Sequence, residues 1–276
     1  MSAEITHWTD TEETGEQPGG GQVKSQTDLY WSQRATSVEG DVEVNIMDIF
    51  QRDLEYDHVC TYLEKEMKVL EVGCGNGFST NRFRGLVKHI DAFDSSEEMI
   101  RRARATYGES NNQFIHDSVL APRHVSTSYD VVLCVRVLIN LRDLTEQRLA
   151  IRNLVPLMRV GGRFILVEGF SDGFSSLNEL RSRVALPPLE PAAINFYSSV
   201  KEVVADLRRE LLTEAEFHLG AYDYLTRVVY PLMAGPQGVK HNTVFSEKCA
   251  ALARANNPDC FKELSRVRGF VFKRVA

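Results

Sequence analysis

The chain lacks a long apolar run, and this absence excludes one class of protein. No stretch of its 276 residues approaches the ~20 consecutive apolar residues that a helix needs to cross a bilayer. The N-terminus is polar and acidic and has no charged start followed by an apolar stretch, so it predicts no secretory signal. We therefore expect a cytoplasmic protein that has no membrane partner.

Cysteine clusters and an excess of positive charge are also missing. The five cysteines form no C-x-x-C pair and no metal-like cluster with histidine, so we expect reduced thiols and no bound metal. The net charge is −6, from 38 acidic and 32 basic residues. Since proteins that follow a nucleic acid backbone are usually basic, we do not expect nucleic acid as a partner. Arg101, Arg102 and Arg104 form a local basic cluster, which we interpret as a solvated helix face.

Composition divides the chain into a tail and one domain. Residues 1–24 are rich in Thr, Glu, Gly and Gln and contain few apolar side chains, which predicts a disordered tail. The hydrophobic content of 43% is enough to bury one substantial core, so we expect a single domain over residues 25–276. Within it we distinguish a core (41–170), a lid-like insertion (170–198) and the C-terminal strands (217–276).

Short apolar runs alternate with helical stretches after residue 66. Such runs are typical of strands that are covered on both faces, and their alternation with helices predicts an α/β fold with a mostly parallel sheet. The predicted strands are Val69–Val72, Ile90–Phe93, Phe114–Ile115, Val131–Val135, Phe164–Val167, Phe217–Thr226 and Gly269–Arg274. One or two amphipathic helices are expected between Asp41 and Glu66, where apolar residues recur at helical spacing.

Polar residues and glycines indicate where the other helices begin and end. Ser95, followed three residues later by Glu98, predicts a capping box and a helix that ends near Gly108. Another helix is predicted over Leu144–Met158, with Gly161 as part of its stop signal. Two more helices are predicted, one near Leu177–Ala185 and one after the cap formed by Ser199–Glu202.

A glycine-rich turn follows the first predicted strand and is the strongest motif of the sequence. Gly73, Gly75 and Gly77 allow positive φ angles and let the backbone approach a ligand closely. The dinucleotide fingerprint G-x-G-x-x-G is not present, because Phe78 stands where its third glycine belongs. Glu71 lies two residues before the first glycine, where it would repel a pyrophosphate but can face an ammonium group. The motif therefore argues against a dinucleotide.

Charged side chains follow the other predicted parallel strands. Asp94 ends the second strand, about 20 residues after the first glycine, where an acid can accept hydrogen bonds from both ribose hydroxyls. Asp117 ends the third strand and is either an acceptor for an adenine amino group or an ordinary loop acid. Arg136 follows the fourth strand and Glu168 ends the fifth. Because ligands bind at the carboxyl ends of strands in open α/β sheets, we expect the site at this edge.

Taken in order, these motifs resemble the class I (seven-strand) S-adenosylmethionine-dependent methyltransferases. The resemblance covers roughly residues 41–170, and it includes Asp94–Met99 as the family's second motif and Arg159–Phe164 as the turn before its fifth strand. It implies a Rossmann-like sheet of order 3-2-1-4-5-7-6 with an antiparallel last strand and helices on both faces. It also implies S-adenosylmethionine as cofactor and S-adenosylhomocysteine as product.

The resemblance assigns a role to each residue of the predicted cofactor site. Gly73, Cys74 and Gly75 would contact the methionine part, and Asp94 the ribose. Ser95 and Met99 would flank the adenine, while Asp117 and Ser118 would hold its edge. The full predicted set is Glu71, Gly73, Cys74, Gly75, Gly77, Asp94, Ser95, Met99, Asp117 and Ser118.

The acceptor side of the site is less specific, because an activated methyl donor mainly requires alignment and exclusion of water. Arg136 is either a partner for an acidic acceptor or a surface arginine. Glu168 is a base or an orienting acceptor, or else a solvated loop acid. Asn195 and Tyr197 of the insertion serve recognition or only packing. Two further aromatic residues, Tyr30 and Trp31, either close the cofactor pocket or pack in the core.

We expect methyl transfer to the oxygen or nitrogen of a small molecule, such as a sugar or a secondary metabolite. The motifs recognise the donor and leave the acceptor and the oligomeric state open. Three rival functions remain: a nucleotide-cofactor oxidoreductase, an aminopropyl transferase of related fold, and a non-catalytic protein of the same fold.

Overall fold

In the computed structural model, residues 26–42, 44, 47–109 and 111–275 are described. The predicted disordered tail, residues 1–24, lies outside these residues. The strands are β1 (Lys68–Val72), β2 (His89–Asp94), β3 (Asn112–His116), β4 (Tyr129–Val135), β5 (Met158–Gly169), β6 (Leu211–His218) and β7 (Val267–Arg274). The α-helices are α1 (Gln26–Ser37), α2 (Ile49–Cys60), α3 (Phe78–Phe83), α4 (Glu97–Tyr107), α5 (Leu144–Leu154), α6 (Ser171–Arg183), α7 (Val200–Glu210), α8 (Gly220–Tyr224), α9 (Tyr230–Ala234) and α10 (Val244–Ala255).

The strands form one sheet of order β3-β2-β1-β4-β5-β7-β6. Strands β1 to β5 pair in parallel, and β7 is antiparallel to both β5 and β6. Val72, at the end of β1, lies in register with Phe93 of β2 and Cys134 of β4. The carboxyl ends of these strands therefore meet at one edge, and the predicted fold class and strand order are confirmed.

Both faces of the sheet are covered, which explains the unbroken apolar runs of its strands. Alternate residues of β4 point to opposite faces, so Val132 and Cys134 join a core with α5 and α7. Val131 and Leu133 join a second core with α2 and α10. All four side chains are fully buried. Residues outside the sheet on either face thus hold the strand ends in fixed positions.

The predicted helix over Leu144–Met158 is wrong at its C-terminal end. Helix α5 stops at Leu154, and a 3₁₀ turn follows over Val155–Leu157. Pro156 explains the early end, because proline has no N–H for the helical ladder and its ring clashes with the preceding turn. Gly161, at φ 81°, lies inside β5 and is not a helix stop.

The predicted cap of α4 is displaced by one residue. Ser96, not Ser95, is the N-cap, since its Oγ accepts from the N–H of Met99 at 3.3 Å. The Asp94 carboxylate accepts from the N–H of Ser96, and this local bond keeps Ser95 outside the helix. The helix ends at Tyr107 before Gly108, as predicted.

The predicted strand over Phe217–Thr226 is also wrong beyond its first two residues. Strand β6 ends at His218, and α8 begins at Gly220. A Cβ on Gly220 would lie 1.9 Å from the carbonyl oxygen of Phe261, so the helix packs against this segment through a residue without a side chain. The sequence has three aromatic residues here, Phe217, Tyr222 and Tyr224, which favour strands, and tertiary packing overrides that preference.

The other predicted elements agree more closely with the structure. The capping box of α7 is present, because the Ser199 hydroxyl and the Glu202 carboxylate bind each other's backbone N–H. The helix predicted near Leu177–Ala185 is α6, which starts at Ser171, directly after β5. One of the helices expected between Asp41 and Glu66 is α2.

Candidate active site

The glycine loop after β1 depends on its left-handed backbone. Gly73, Gly75 and Gly77 have φ angles of 65°, 53° and 81°. A Cβ on Gly73 would lie 2.6 Å from a methyl group of Val137, and one on Gly77 would lie 2.8 Å from the ring of Phe114. Both the conformation and the close packing therefore require glycine at these two positions.

Asp94 connects this loop to the end of β2. Its Oδ2 accepts from the N–H of Gly75 at 2.9 Å, and its Oδ1 accepts from the N–H of Ser96 at 2.8 Å. Burial raises the pKa of the Asp94 carboxyl, although the two N–H groups oppose this. Each oxygen of a carboxylate can accept a further hydrogen bond, so Asp94 retains acceptor capacity beside the loop.

Glu71 lies beneath the same loop on β1 and is only 5% exposed. Its Oε2 accepts from the Thr80 hydroxyl at 2.6 Å, and its Oε1 accepts from the Ser79 hydroxyl. Burial raises the pKa of Glu71 to about 7, against the effect of these two hydroxyls. A cation bound nearby would lower that pKa, because it stabilises the ionised carboxylate.

The predicted adenine end is more densely bonded within the protein. Asp117 Oδ1 accepts from the N–H of Ser118, and Oδ2 accepts from the N–H groups of Arg123 and His124 at 2.9 and 2.7 Å. The Ser118 hydroxyl accepts from the N–H of Leu120. Both residues thus organise the loop after β3, and their contact with adenine stays a prediction.

The three other predicted residues of the donor site lie around the loop. Cys74 is buried, its N–H donates to the carbonyl of Phe93, and burial raises the pKa of its thiol well above the usual value. Ser95 is exposed and donates to Asp28 of α1. Met99 is buried under the N-terminal segment, in contact with Ala35.

Helix α1 lies across this edge of the sheet and was not predicted as a helix. The indole N–H of Trp31 donates to Asn140 Oδ1, after β4, at 3.3 Å, and Ser32 donates to Glu98 of α4. Arg102 of α4 donates to the carbonyl of Ala35 at 3.0 Å. The interpretation of Arg102 as a solvated residue is therefore wrong, because its guanidinium holds α1 and the residues that follow it. The helix spans from α4 to the segment after β4.

On the acceptor side, Glu168 is buried and not a solvated loop acid. Its Oε2 accepts from the N–H of Leu138 at 2.7 Å, and its Oε1 accepts from the N–H of Gly169 at 2.9 Å. Burial raises the pKa of Glu168 to about 7, against the positive charge of Arg136. The carboxyl thus holds the turn after β4 against the end of β5.

Arg136 and Tyr197 meet at the end of β5. Arg136 is half-buried with φ 59°, and its N–H donates to the carbonyl of Val167 at 2.8 Å. A Cβ on Gly169 would lie 2.7 Å from the Tyr197 ring and 3.1 Å from Arg136 Nη1. The Tyr197 ring packs edge-on against Phe174 at 4.7 Å, and its hydroxyl accepts from Asn195. The four predicted acceptor-side residues therefore lie in one region.

Helix α2 contributes polar residues that sequence reasoning missed. Glu55 is 1% exposed and accepts from the amide of Gln51 at 2.9 Å. Arg52 is 5% exposed and stacks over the ring of Phe78 at 4.2 Å, and its Nε has no hydrogen-bond partner among the residues described. Only the apolar residues of this helix marked it in the sequence, and no local signal showed that its polar residues are buried.

Residues 69–162 match the family described as "Methyltransferase domain". This segment of the chain is therefore a methyltransferase domain. The chain is 28% identical over 97 residues to Nodulation protein S of Azorhizobium caulinodans, and these residues are 35% of this chain and 46% of that protein. It is 26% identical over 102 residues to the Ubiquinone biosynthesis O-methyltransferase of Aeromonas salmonicida, 36% of this chain and 42% of that protein. The chain thus spans about half the length of the curated relatives it matches.

The fold extends well beyond the matched segment of this methyltransferase domain. The crystal structure of the N-methyltransferase NodS from Bradyrhizobium japonicum WM9, in complex with S-adenosyl-L-homocysteine, superposes with a TM-score of 0.58 at 14% identity. The superposition covers 91% of this chain and 100% of that chain. The family and fold predicted from the sequence are both confirmed.

Two further observations concern the described part of the chain. None of its helices is long and apolar enough to cross a membrane. It also contains no group of three or more His, Cys, Asp or Glu side chains that could hold a metal ion.

Proposed function

We propose that this protein transfers a methyl group from S-adenosylmethionine to an oxygen or nitrogen of a small molecule. One observation carries the proposal: Asp94, at the end of β2, bonds the N–H of Gly75 in the glycine loop of β1. This bond places an acid with spare acceptor capacity beside a backbone that a ligand can approach closely. A nucleoside whose ribose binds Asp94 would then extend its amino acid part along Gly73.

The residues around the loop fit the charges of this donor. Glu71 is a buried carboxyl whose pKa of about 7 would fall on contact with the donor's ammonium group. Arg52, stacked on Phe78 at the start of α3, has an unpartnered Nε among the described residues. It is suited to the donor's carboxylate, since guanidinium groups bind carboxylates through charge-assisted hydrogen bonds.

The chemistry asks the chain to align two molecules and to exclude water. When bound, the donor supplies a methyl group that is already activated on a positively charged sulfur. Asp94 and Glu71 would orient it from opposite ends. Helix α1, held by Trp31 and Arg102, covers the donor side, and the segment with Tyr197 covers the acceptor side.

The matched relatives support methyl transfer without choosing the accepting atom. The Aeromonas salmonicida relative is named an O-methyltransferase and the Bradyrhizobium japonicum structure an N-methyltransferase. We therefore propose that either an oxygen or a nitrogen accepts the methyl group, and that the acceptor is a sugar or a secondary metabolite. A dinucleotide oxidoreductase is the less suitable alternative, because Glu71 would repel a pyrophosphate.

The test is a calorimetric titration with S-adenosylhomocysteine and, separately, with a nicotinamide dinucleotide. We expect the first ligand to bind and the second not to bind. The enzyme is then incubated with a trideuteromethyl-labelled donor and a small-molecule extract, and mass spectrometry identifies metabolites that acquire the label. Binding of the nicotinamide dinucleotide, or no labelled product despite donor binding, would contradict the proposal.

A further inference from the structure

Among the residues that the structure describes, the guanidinium of Arg136 has no direct partner, although it lies half-buried at the edge of the sheet that carries the proposed site. Within residues 26–42, 44, 47–109 and 111–275, no carboxylate oxygen lies within 4.0 Å of it, and no hydrogen bond of its side chain is found. Other arginines of this region are paired: Arg266 contacts Asp223 at 2.7 Å, and Arg227 contacts Asp48 at 2.7 Å. A partly buried charge without a partner is unfavourable unless something else binds it.

Two acids lie near Arg136 without contacting it. Burial alone would lower the pKa of Arg136, but the negative charges of Glu55 and Glu168 raise it. The Glu168 carboxyl already accepts three backbone N–H groups, those of Leu138, Ile139 and Gly169. Glu55 accepts one hydrogen bond, from Gln51, among the residues described. The Arg136 guanidinium and the Glu55 carboxyl, whose pKa is raised by burial, therefore lie near each other, and each has bonding capacity left among the residues described.

A series of contacts connects the elements that carry Glu55 and Arg136. Gln51, the partner of Glu55, accepts from Arg266 at 3.0 Å, and the Arg266 guanidinium lies 5.5 Å from the ring of Phe174. Phe174 contacts Tyr197, whose ring lies over Gly169 beside Arg136. The contacts run from helix α2 to the end of β5.

This region also adjoins the methionine end of the proposed donor site. Val137, next to Arg136 in the chain, lies against Gly73 of the glycine loop. Tyr56, next to Glu55, is buried, and the negative charge of Glu71 contributes to raising the pKa of Tyr56. The methyl group of the donor would emerge from this end.

We propose that Arg136 and Glu55 together bind the methyl acceptor, and that the acceptor carries an anionic group. Its carboxylate or phosphate binds the Arg136 guanidinium, which can engage either group through two parallel hydrogen bonds. An N–H or O–H of the same molecule donates to the free oxygen of Glu55. This inference rests on the proposed methyl transfer and narrows its substrate to acidic small molecules.

The backbone explains why Arg136 and Glu55 do not simply pair with each other. The N–H of Arg136 is bonded to Val167, and its φ of 59° fixes the direction in which the side chain leaves the strand end. Glu55 is held on α2 by Gln51. Gly169, with no side chain, lets the Tyr197 ring and the Arg136 guanidinium pack closely against its backbone. A guanidinium and a carboxyl fixed apart in this way select a ligand that bridges them.

A direct test follows the arginine Nε–Hε signals of ¹⁵N-labelled protein by NMR, with and without saturating S-adenosylhomocysteine. The signal absent from Arg136→Gln identifies Arg136. Inorganic phosphate and acetate are titrated separately, with sodium chloride at equal ionic strength as control. We expect a saturable shift of this signal with phosphate for a phosphate-bearing acceptor, or with acetate for a carboxylate. If neither phosphate nor acetate shifts this signal more than chloride does, the proposal is overturned.

A kinetic test uses the acceptor found in the labelled extract. Arg136→Gln should raise the KM for this acceptor roughly 10- to 100-fold, as expected for loss of a hydrogen bond to a charged group. Glu55→Gln should raise it as well, and both variants should bind S-adenosylhomocysteine within about twofold of wild type. Arg142→Gln, at an exposed arginine after the same strand, is the matched control. If the acceptor is neutral, or if the KM of the two variants is unchanged, the inference is contradicted. If the wild-type protein does not bind S-adenosylhomocysteine, the proposed function itself is contradicted.

Discussion

Replacing Asp94 by alanine is the most direct test of the donor site. In the protein its carboxylate accepts from Gly75 and Ser96, at 2.9 and 2.8 Å, and the proposed function adds both ribose hydroxyls. Hydrogen bonds to a charged group are worth about 1.5–3 kcal/mol each. Loss of the two ribose bonds should therefore weaken donor binding by about 3–6 kcal/mol, which is roughly 100-fold or more.

The assay is calorimetric titration with S-adenosylhomocysteine, with thermal unfolding measured in parallel. Asp130 provides a matched control, because it is also half-buried and its carboxylate accepts from the N–H of Lys68 at 2.7 Å. It lies at the opposite edge of the sheet, at the start of β4. Asp130→Ala should lower the thermal stability about as much as Asp94→Ala does and leave the affinity for S-adenosylhomocysteine unchanged. Equal affinities for Asp94→Ala and Asp130→Ala would refute the reasoning.

Three further predictions concern the rest of the site. Donor binding should lower the raised pKa of Glu71, so this carboxyl should release a proton when S-adenosylhomocysteine binds near pH 7, and the ligand should bind more tightly as pH rises through about 7. Calorimetry in two buffers of different ionisation enthalpy should show the proton release in wild type and not in Glu71→Gln. Trp31→Phe removes the hydrogen bond to Asn140, which is worth about 1 kcal/mol, so S-adenosylhomocysteine release should be roughly fivefold faster in stopped-flow measurements. An unchanged rate would show that α1 does not retain the donor. Gly169→Ala places a Cβ 2.7 Å from the Tyr197 ring, so the KM for the acceptor should rise while donor affinity stays constant; the reverse pattern would contradict the assigned location of the acceptor.

The pKa of Glu71 also has a consequence for stability. A carboxyl whose pKa is raised from 4.5 to about 7 in the folded protein binds more protons there than in the unfolded chain. Its contribution to the free energy of unfolding is therefore complete below pH ~4.5 and is lost as pH rises through about 7. The pKa of Glu168 is likewise raised to about 7, so the ligand-free protein should become less stable as pH rises through about 7. Chemical denaturation at pH 5 and pH 8, compared with Glu71→Gln, measures the effect.

Local patterns in the sequence were sufficient for the sheet and for the glycine loop. The apolar runs of β1 and β4 reflect burial on both faces, and such runs can be recognised from residue type alone. Gly73 and Gly77 are required by the backbone angles that they adopt themselves. Asp94 could be placed because strand ends in a parallel sheet meet at one edge. The predicted bounds were wrong where one local feature decided the outcome. Pro156 ends α5 early, and the hydrogen bond from the N–H of Ser96 to Asp94 moves the cap of α4 by one residue.

Tertiary structure decided what surrounds this loop. Trp31 finds its partner Asn140 more than a hundred positions along the chain, and Arg102 reaches back to the carbonyl of Ala35. Glu55 and Arg136 lie on separate elements, and neither has a local pattern that distinguishes it from a surface charge. Burial of a polar side chain depends on which distant segment packs over it, and no periodicity in the sequence records that. The sequence by itself therefore determined the fold and the predicted donor site, whereas packing between distant segments decided which charged side chains lie at the proposed acceptor site.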